Sequence, residues 1–372
     1  MVAPRPVLIA STAELKQAAE KLAGAAFYYL DTEFETAGPA KKLCLVQVSR
    51  GAGETYLIDT VALSALEPLA KAISGPEAEW VVHAGNQDVA LLKEALHLGA
   101  IPGVFDTQVA WGLLGAEYPV SLAYLLYRIL GIRSSKSEQA GPWMARPLTR
   151  EQLEYAAGDV DHLPAIRDWL RERLEKLGRL ELAKEASGES VLPDPPGPLG
   201  MEEFRNAWQL DPAGQAALRF LIDWWNALPP GERGEAPQPR TFLTVAKLLP
   251  ESGQELAKIR GLFYPWVKRH GDAFTGKLLR ASAEGARGGY VPLEPPPYNT
   301  FDRIRAEGWI RKALSDVCAE LQVAPEIAFP ERLVRRMIES VDARQAPAAA
   351  AEVLGGWRGR LLRSAFLARL PS

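Results

Sequence analysis

Two proline-rich stretches set the outer limits of this fold: SGESVLPDPPGPLG at 187–200 and GARGGYVPLEPPPYN at 285–299. Proline fixes its own φ and lacks a backbone donor, so neither stretch can continue a helix or a central strand. Both read as semi-rigid linkers. They divide the 372 residues into three parts, 1–187, 201–286 and 299–372, which suits a chain of this length, since domains commonly hold about 100–200 residues.

The first part alternates two periodicities. AAFYYLDTEF, KLCLVQVSR, TYLID and EWVVHA are strand-like, whereas ALSALEPLAKAI, NQDVALLKEALHL and TREQLEYAAGDVDHLPAIRDWLRERLEKL carry helical spacing. Such alternation predicts an α/β layer structure with a mixed sheet. The second and third parts have almost no strand signal and predict small helical bundles. Within the second, NALPPGERGEAPQPR at 226–240 is too rich in Pro and Gly for helix and predicts a long loop. Trp224, Trp225 and Trp266 have apolar neighbours and are expected in its core.

Several classes are excluded. No apolar run reaches the roughly 18 residues of a membrane span, and MVAPRPVLIASTAEL has too short an apolar core for a signal peptide. A cytoplasmic, monomeric protein with no membrane partner is expected. Cys44 and Cys318 fit neither a disulfide framework nor a zinc spacing and are expected as buried thiols. The net charge of −3 conceals an asymmetry: residues 1–200 hold 19 Lys and Arg against 26 Asp and Glu, and residues 201–372 hold 24 against 20. An acidic part joined to a basic one is compatible with a metal-carboxylate site beside a polyanion-binding surface.

The chemistry centres on YYLDTEF at 28–34. A strand of this composition is normally buried, where an ionised carboxylate is costly without a compensating cation or donor. Side chains at i and i+2 share a face, so Asp31 and Glu33 converge at the strand end. Asp88 falls in the first turn of a helix expected to start near Asn86, where the dipole favours an anion. In LTREQLEYAAGDVDHL, Thr149 can cap a helix with support from Gln152, and Tyr155 and Asp159 stand at i and i+4 on one face. Asp161 and His162 fall on other faces. Carboxylates without a cysteine cluster, in a chain with only four histidines, specify a hard cation, Mg²⁺ or Mn²⁺, rather than zinc. Two such ions about 4 Å apart could stabilise both the attacking and the leaving oxygen of a phosphodiester.

DTEF at 31–34, HAGNQD at 83–88 and YAAGD at 155–159 resemble the three motifs of the DEDDy 3'-5' exonucleases, and among them ribonuclease D. LCLVQV, FDTQVA and ARPLTREQLEYAAGDV extend that likeness over the whole first part. The resemblance implies a ribonuclease H-like fold in which Asp31, Glu33, Asp88 and Asp159 bind metal and Tyr155 orients the attacking water. By position in the family it also makes Gln47, Asn86, Trp143 and Arg146 candidate nucleotide contacts; His83, at a strand end, reads first as a satisfied structural histidine and second as a substrate contact, and Asp106 in FDTQ reads as holding local structure rather than binding metal. SSKSEQAGPWMARPL departs from the family's usual stretch before the arginine, which bears on specificity rather than on the metal site.

The segment from QAALRFLIDWWNAL to VKRHGDAFTGKLL resembles an HRDC domain, with Gly261 ending a helix and Lys268 and Arg269 in the next one as candidate phosphate contacts. Residues 299–372 resemble a second, diverged copy made basic by Arg335, Arg336, Arg358, Arg360 and Arg363, which could grip phosphates or form a solvated face. The whole is expected to be a metal-dependent exoribonuclease acting on RNAs with a single-stranded 3' end, tRNA precursors included. The same chemistry on DNA, or a silent RNA-binding scaffold, are the alternatives.

Overall fold

The computed structural model describes residues 6–37, 40–51, 54–133, 141–191, 198–287, 293, 301–344 and 346–370. Residues 134–140 of the departing loop, 192–197 of the first linker and most of 288–300 lie outside the described residues. The chain forms two compact units, Met1–Pro193 together with Phe301–Ser372, and Asp194–Thr300.

The first unit is built on a six-stranded mixed sheet of order β1-β4-β3-β2-β5-β6. Its strands are β1 (Val7–Ile9), β2 (Phe27–Ala37), β3 (Ala40–Ser49), β4 (Thr55–Asp59), β5 (Glu79–Val82) and β6 (Gly103–Asp106). β3 alone runs opposite to the rest, pairing antiparallel with β2 and β4, while the β1–β4, β2–β5 and β5–β6 pairs are parallel. The short β1 and β6 add to the strands expected from composition.

Strand alternation divides the sheet into two faces. Tyr28, Leu30, Val46, Val48, Trp80 and Val82 point to one of them, where they pack with α1 (Thr12–Leu22), α2 (Glu67–Ile73) and α3 (Asn86–Ala95). The opposite face carries Tyr29, Val81 and Phe105, covered by α4 (Thr107–Gly112), α5 (Leu122–Leu125), a π-helical turn at Leu126–Leu130, and α7 (Leu163–Lys176) and α8 (Leu180–Val191). On this second face α6 (Arg150–Asp161) lies across β2, β3 and β4. The long helical stretch expected from 149 onward is therefore two helices. His162 ends α6 and begins α7, and Pro164 sits in the first turn of α7, where its missing N–H costs nothing. α8 runs on to Val191, past the expected boundary at 187, because the first proline comes only at Pro193.

Helices α13 (Phe301–Leu321), α14 (Pro325–Ala328), α15 (Glu331–Arg344), α16 (Ala349–Glu352) and α17 (Gly356–Leu367) belong to this same unit. Ile310, Val317, Ile327, Trp357, Leu362 and Phe366 share one apolar core with Leu113, Leu125, Leu170 and Leu174. Polar ties reinforce it: Arg179 donates to the carbonyls of Leu113 and Leu321 at 2.8 and 2.7 Å, and Arg358 and the Trp357 indole both donate to Glu189. Thus 299–372 is a separate stretch of sequence, yet its described helices complete the core of the first part. Three of its five singled-out arginines are engaged internally: Arg358 on Glu189, Arg360 on Glu185 and Arg363 on the Leu354 carbonyl. Arg335 and Arg336 are exposed.

The second unit is helical: α9 (Pro212–Ala227), α10 (Phe242–Leu248), α11 (Gly253–Leu256) and α12 (Tyr264–Ala286) close around Leu218, Leu221, Phe242, Val245, Phe274 and Leu278. The expected loop after α9 is present, relieved only by single 3-10 turns. Trp224, Trp225 and Trp266 pack against the core as expected. Gly261 makes its turn with φ 96°, a conformation that favours glycine. Lys268 and Arg269 then lie exposed in α12, where Arg269 pairs with Glu235.

Candidate metal and catalytic centre

Three of the expected acids converge. One carboxylate oxygen from each of Asp31, Glu33 and Asp159 lies within 4.8 Å of the others. The first two reach this point because they alternate along β2; just after Glu33 the β2–β3 register shifts, with Cys44 as the extra residue on β3. Asp159 arrives from α6, whose start is fixed by a capping box between Thr149 and Gln152, as the sequence predicts.

Asp88 stands beside this cluster, in the first turn of α3, with Oδ1 accepting from Thr32 Oγ1 at 2.5 Å. Its corner is tightly built. Asp106 accepts from the backbone N–H groups of Ala84, Gly85 and Gln108 at 2.8–3.0 Å, which confirms it as structural. A Cβ on Gly85 would lie 2.5 Å from Val82 Cγ2, so glycine is required for β5 to turn into α3.

The electrostatics agree with the crowding. Burial, then the charges of Asp88, Asp159 and Glu33, push Asp31 well above the usual carboxylate range. Burial and the charges of Asp159 and Asp88 raise Glu33 to about 8. Asp159 rises to about 6 through burial and the Asp88 charge, against the lowering effect of the Tyr155 hydroxyl. Burial also raises Asp88. Among the described residues none of the four has a Lys or Arg ion-pair partner. All four remain partly exposed. Oxygen-only donors, converging, uncompensated and open, fit a hard divalent cation. Tyr155 is pushed up by burial and by Asp159, Glu33 and Asp31, so its hydroxyl stays protonated.

The other expected contacts fall elsewhere. His83 is tied by Nδ1 to Thr107 Oγ1 at 2.9 Å and by Nε2 to the Val120 carbonyl at 3.0 Å, and burial lowers its pKa; it is a structural histidine. Trp143 is 2% exposed and lies against Tyr155, with ring centroids 6.2 Å apart. Arg146 is committed to Asp59 through two 2.6 Å bonds and to the carbonyls of Trp143, Ala145 and Cys44. Gln47 is fully enclosed, which removes it from direct nucleotide contact. Asn86 is exposed at the start of α3 and remains available. Asp161 accepts from Thr55, consistent with its facing away from the acids. Cys44 and Cys318 are buried free thiols as expected. Thr32, Asp59 and Glu35, which accepts from the Met144 N–H at 2.8 Å, were not anticipated as partners of these residues. Thr32 could have been found as a polar residue between two acids in an otherwise apolar strand.

Among the described residues no helix is long and apolar enough to cross a membrane. The 3'-5' exonuclease family model matches residues 6–175. Ribonuclease D of Gluconacetobacter diazotrophicus is 32% identical over 378 residues, covering 95% of this chain and 90% of the relative. That of Pseudomonas paraeruginosa is 28% identical over 100% of this chain and 99% of its own. The crystal structure of Escherichia coli RNase D, described as an exoribonuclease involved in structured RNA processing, superposes with a TM-score of 0.75 at 25% identity over 98% of both chains. With three motif acids gathered and a fourth beside them, and with a relative of this identity along nearly its whole length, the chain belongs to the ribonuclease D family and is a 3'-5' exoribonuclease.

Proposed function

We propose that this enzyme trims 3' trailers from precursor tRNAs and other small structured RNAs, releasing nucleoside 5'-monophosphates by two-metal-ion hydrolysis. The observation that carries the reading is the convergence of Asp31, Glu33 and Asp159 without a basic partner among the described residues. These three, with Asp88, would hold Mg²⁺ or Mn²⁺, and such ions supply charge stabilisation at the attacking and leaving oxygens of an in-line displacement. Asp88 is oriented by Thr32, and the Asp106-bound corner fixes where α3 presents it. Tyr155, seated against Trp143, positions the attacking water through its hydroxyl, and the metal ions would supply most of that water's activation.

The two helical parts are read as HRDC-type modules, 201–286 and 299–372. Lys268 and Arg269 in the first of them are its candidate phosphate contacts, which would supply affinity without base readout. Sizing the products from a 3'-tailed tRNA precursor and a matched DNA strand, with Mg²⁺ and with chelator, tests the reading. Metal-dependent release of mononucleotides from RNA supports it. Equal or faster attack on DNA would reassign the substrate, and binding without cleavage would make the protein a scaffold.

A further inference from the structure

One buried group at the centre is not used by the chemistry above. Gln47 on β3 stands across from Asp31 on β2 and from Leu57 on β4, and it is fully enclosed. Among the described residues neither its Nε2 nor its Oε1 has a hydrogen-bond partner. A buried amide of this kind is costly unless something engages it. Directly opposed residues of an antiparallel pair share a face with Cβ atoms about 4.5–5.5 Å apart. Glutamine is one methylene longer than aspartate, so its amide can reach the Asp31 carboxylate.

Metal-ligating carboxylates are themselves held by outer hydrogen bonds. Asp88 has the Thr32 hydroxyl, and the Tyr155 hydroxyl lies close enough to Asp159 to lower its pKa. Asp31 is assisted by the Thr32 backbone, and no side-chain donor among the described residues reaches it. The unengaged donor directly opposite is Gln47. We propose that Gln47 is a positioning residue whose Nε2–H donates to the ionised Asp31 carboxylate when a divalent cation binds, fixing that ligand's orientation. The inference rests on the reading that these acids hold metal.

The test is Mn²⁺ titration of the full-length protein and of Gln47→Met, read by electron paramagnetic resonance of free Mn²⁺, with metal-free thermal melts alongside. Methionine keeps the shape and removes the amide. Mn²⁺ affinity should fall about 10–100-fold, while the metal-free Tm is unchanged or higher because an unpartnered buried amide is gone. At limiting metal kcat should fall with unchanged KM for a 3'-tailed RNA. A merely structural glutamine would give a lower Tm with unaltered Mn²⁺ affinity, and that result overturns the proposal. If Gln47→Met does not fold, Gln47→Asn withdraws the amide by one methylene and should lose affinity likewise; wild-type affinity there also overturns it. A wild type that binds no Mn²⁺ fails the underlying metal reading, whereas equal binding by wild type and variant fails this inference alone.

Discussion

Replacing Arg146 by alanine should destabilise the protein before it affects RNA recognition. The guanidinium binds both Asp59 oxygens at 2.6 Å and three carbonyls at 2.7–3.0 Å. The Arg146 side chain is 23% exposed and that of Asp59 3%. Removing one member of a buried pair costs about 3–5 kcal/mol, chiefly because the other charge is left uncompensated. Asp59 would keep its bonds from the Val61 and Ala62 N–H groups at 3.0 Å, which places the loss near the lower end, about 3 kcal/mol. For a unit of this size that corresponds to a fall in Tm of about 6–12 °C. The pH dependence supplies a second readout. Burial alone would raise Asp59, but the hydrogen bonds and charge of Arg146, with those backbone donors, outweigh it and hold the carboxyl below its ordinary value. A depressed acid contributes stability above its unfolded pKa, near 4, and loses it as pH falls. The gap between wild type and Arg146→Ala should therefore narrow on acidification. Thermal melts at several pH values, with KM for a tailed RNA measured well below the variant's Tm, decide the matter. A variant with wild-type Tm and a raised KM would refute the structural role and restore Arg146 as a substrate contact.

Other outcomes follow from the same geometry. Asp31→Asn should reduce hydrolysis to background while raising the metal-free Tm, since it removes one of several mutually repelling acids; an active variant would contradict its role. Truncation after residue 300 should prevent folding of the exonuclease unit rather than merely weaken RNA binding. It would expose the faces against which Ile310, Val317, Ile327, Trp357, Leu362 and Phe366 pack, each worth about 1.5–3 kcal/mol, in sum as large as a typical domain's whole net stability of about 5–15 kcal/mol; a folded, active truncation seen by circular dichroism and assay would contradict this. Without metal, Asp159 titrates near 6 and Glu33 near 8. Raised acids stabilise the fold at low pH, and that contribution is lost as pH rises through these values, so the gain in Tm on adding Mg²⁺ should be larger at pH 8 than at pH 6. A gain independent of pH would contradict the assignment.

The sequence carried the local half of this account. Alternation at Asp31 and Glu33, the helix start before Asp88, the capping box at Thr149 and the i, i+4 pair Tyr155 and Asp159 are each written within a few residues, and the structure keeps all of them. Contacts between distant segments were less legible. Arg146 meets Asp59 across 87 positions, and Glu189 meets Arg358 across 169. Nothing local distinguishes a guanidinium that locks a loop from one that grips phosphate. The same limit applies to 301–370: amphipathic helices announce an apolar face but not the surface it will cover. His83 illustrates it at the site itself, since the carbonyl that engages its ring belongs to Val120, far along the chain.

Anomalous diffraction from crystals soaked in Mn²⁺ tests the central claim most directly. The account predicts density for the ion among the carboxylates of Asp31, Glu33 and Asp159, with Asp88 alongside, and its loss in Asp31→Asn. Absence of any peak there at saturating Mn²⁺, with the acids turned apart or bound by basic side chains, would contradict it.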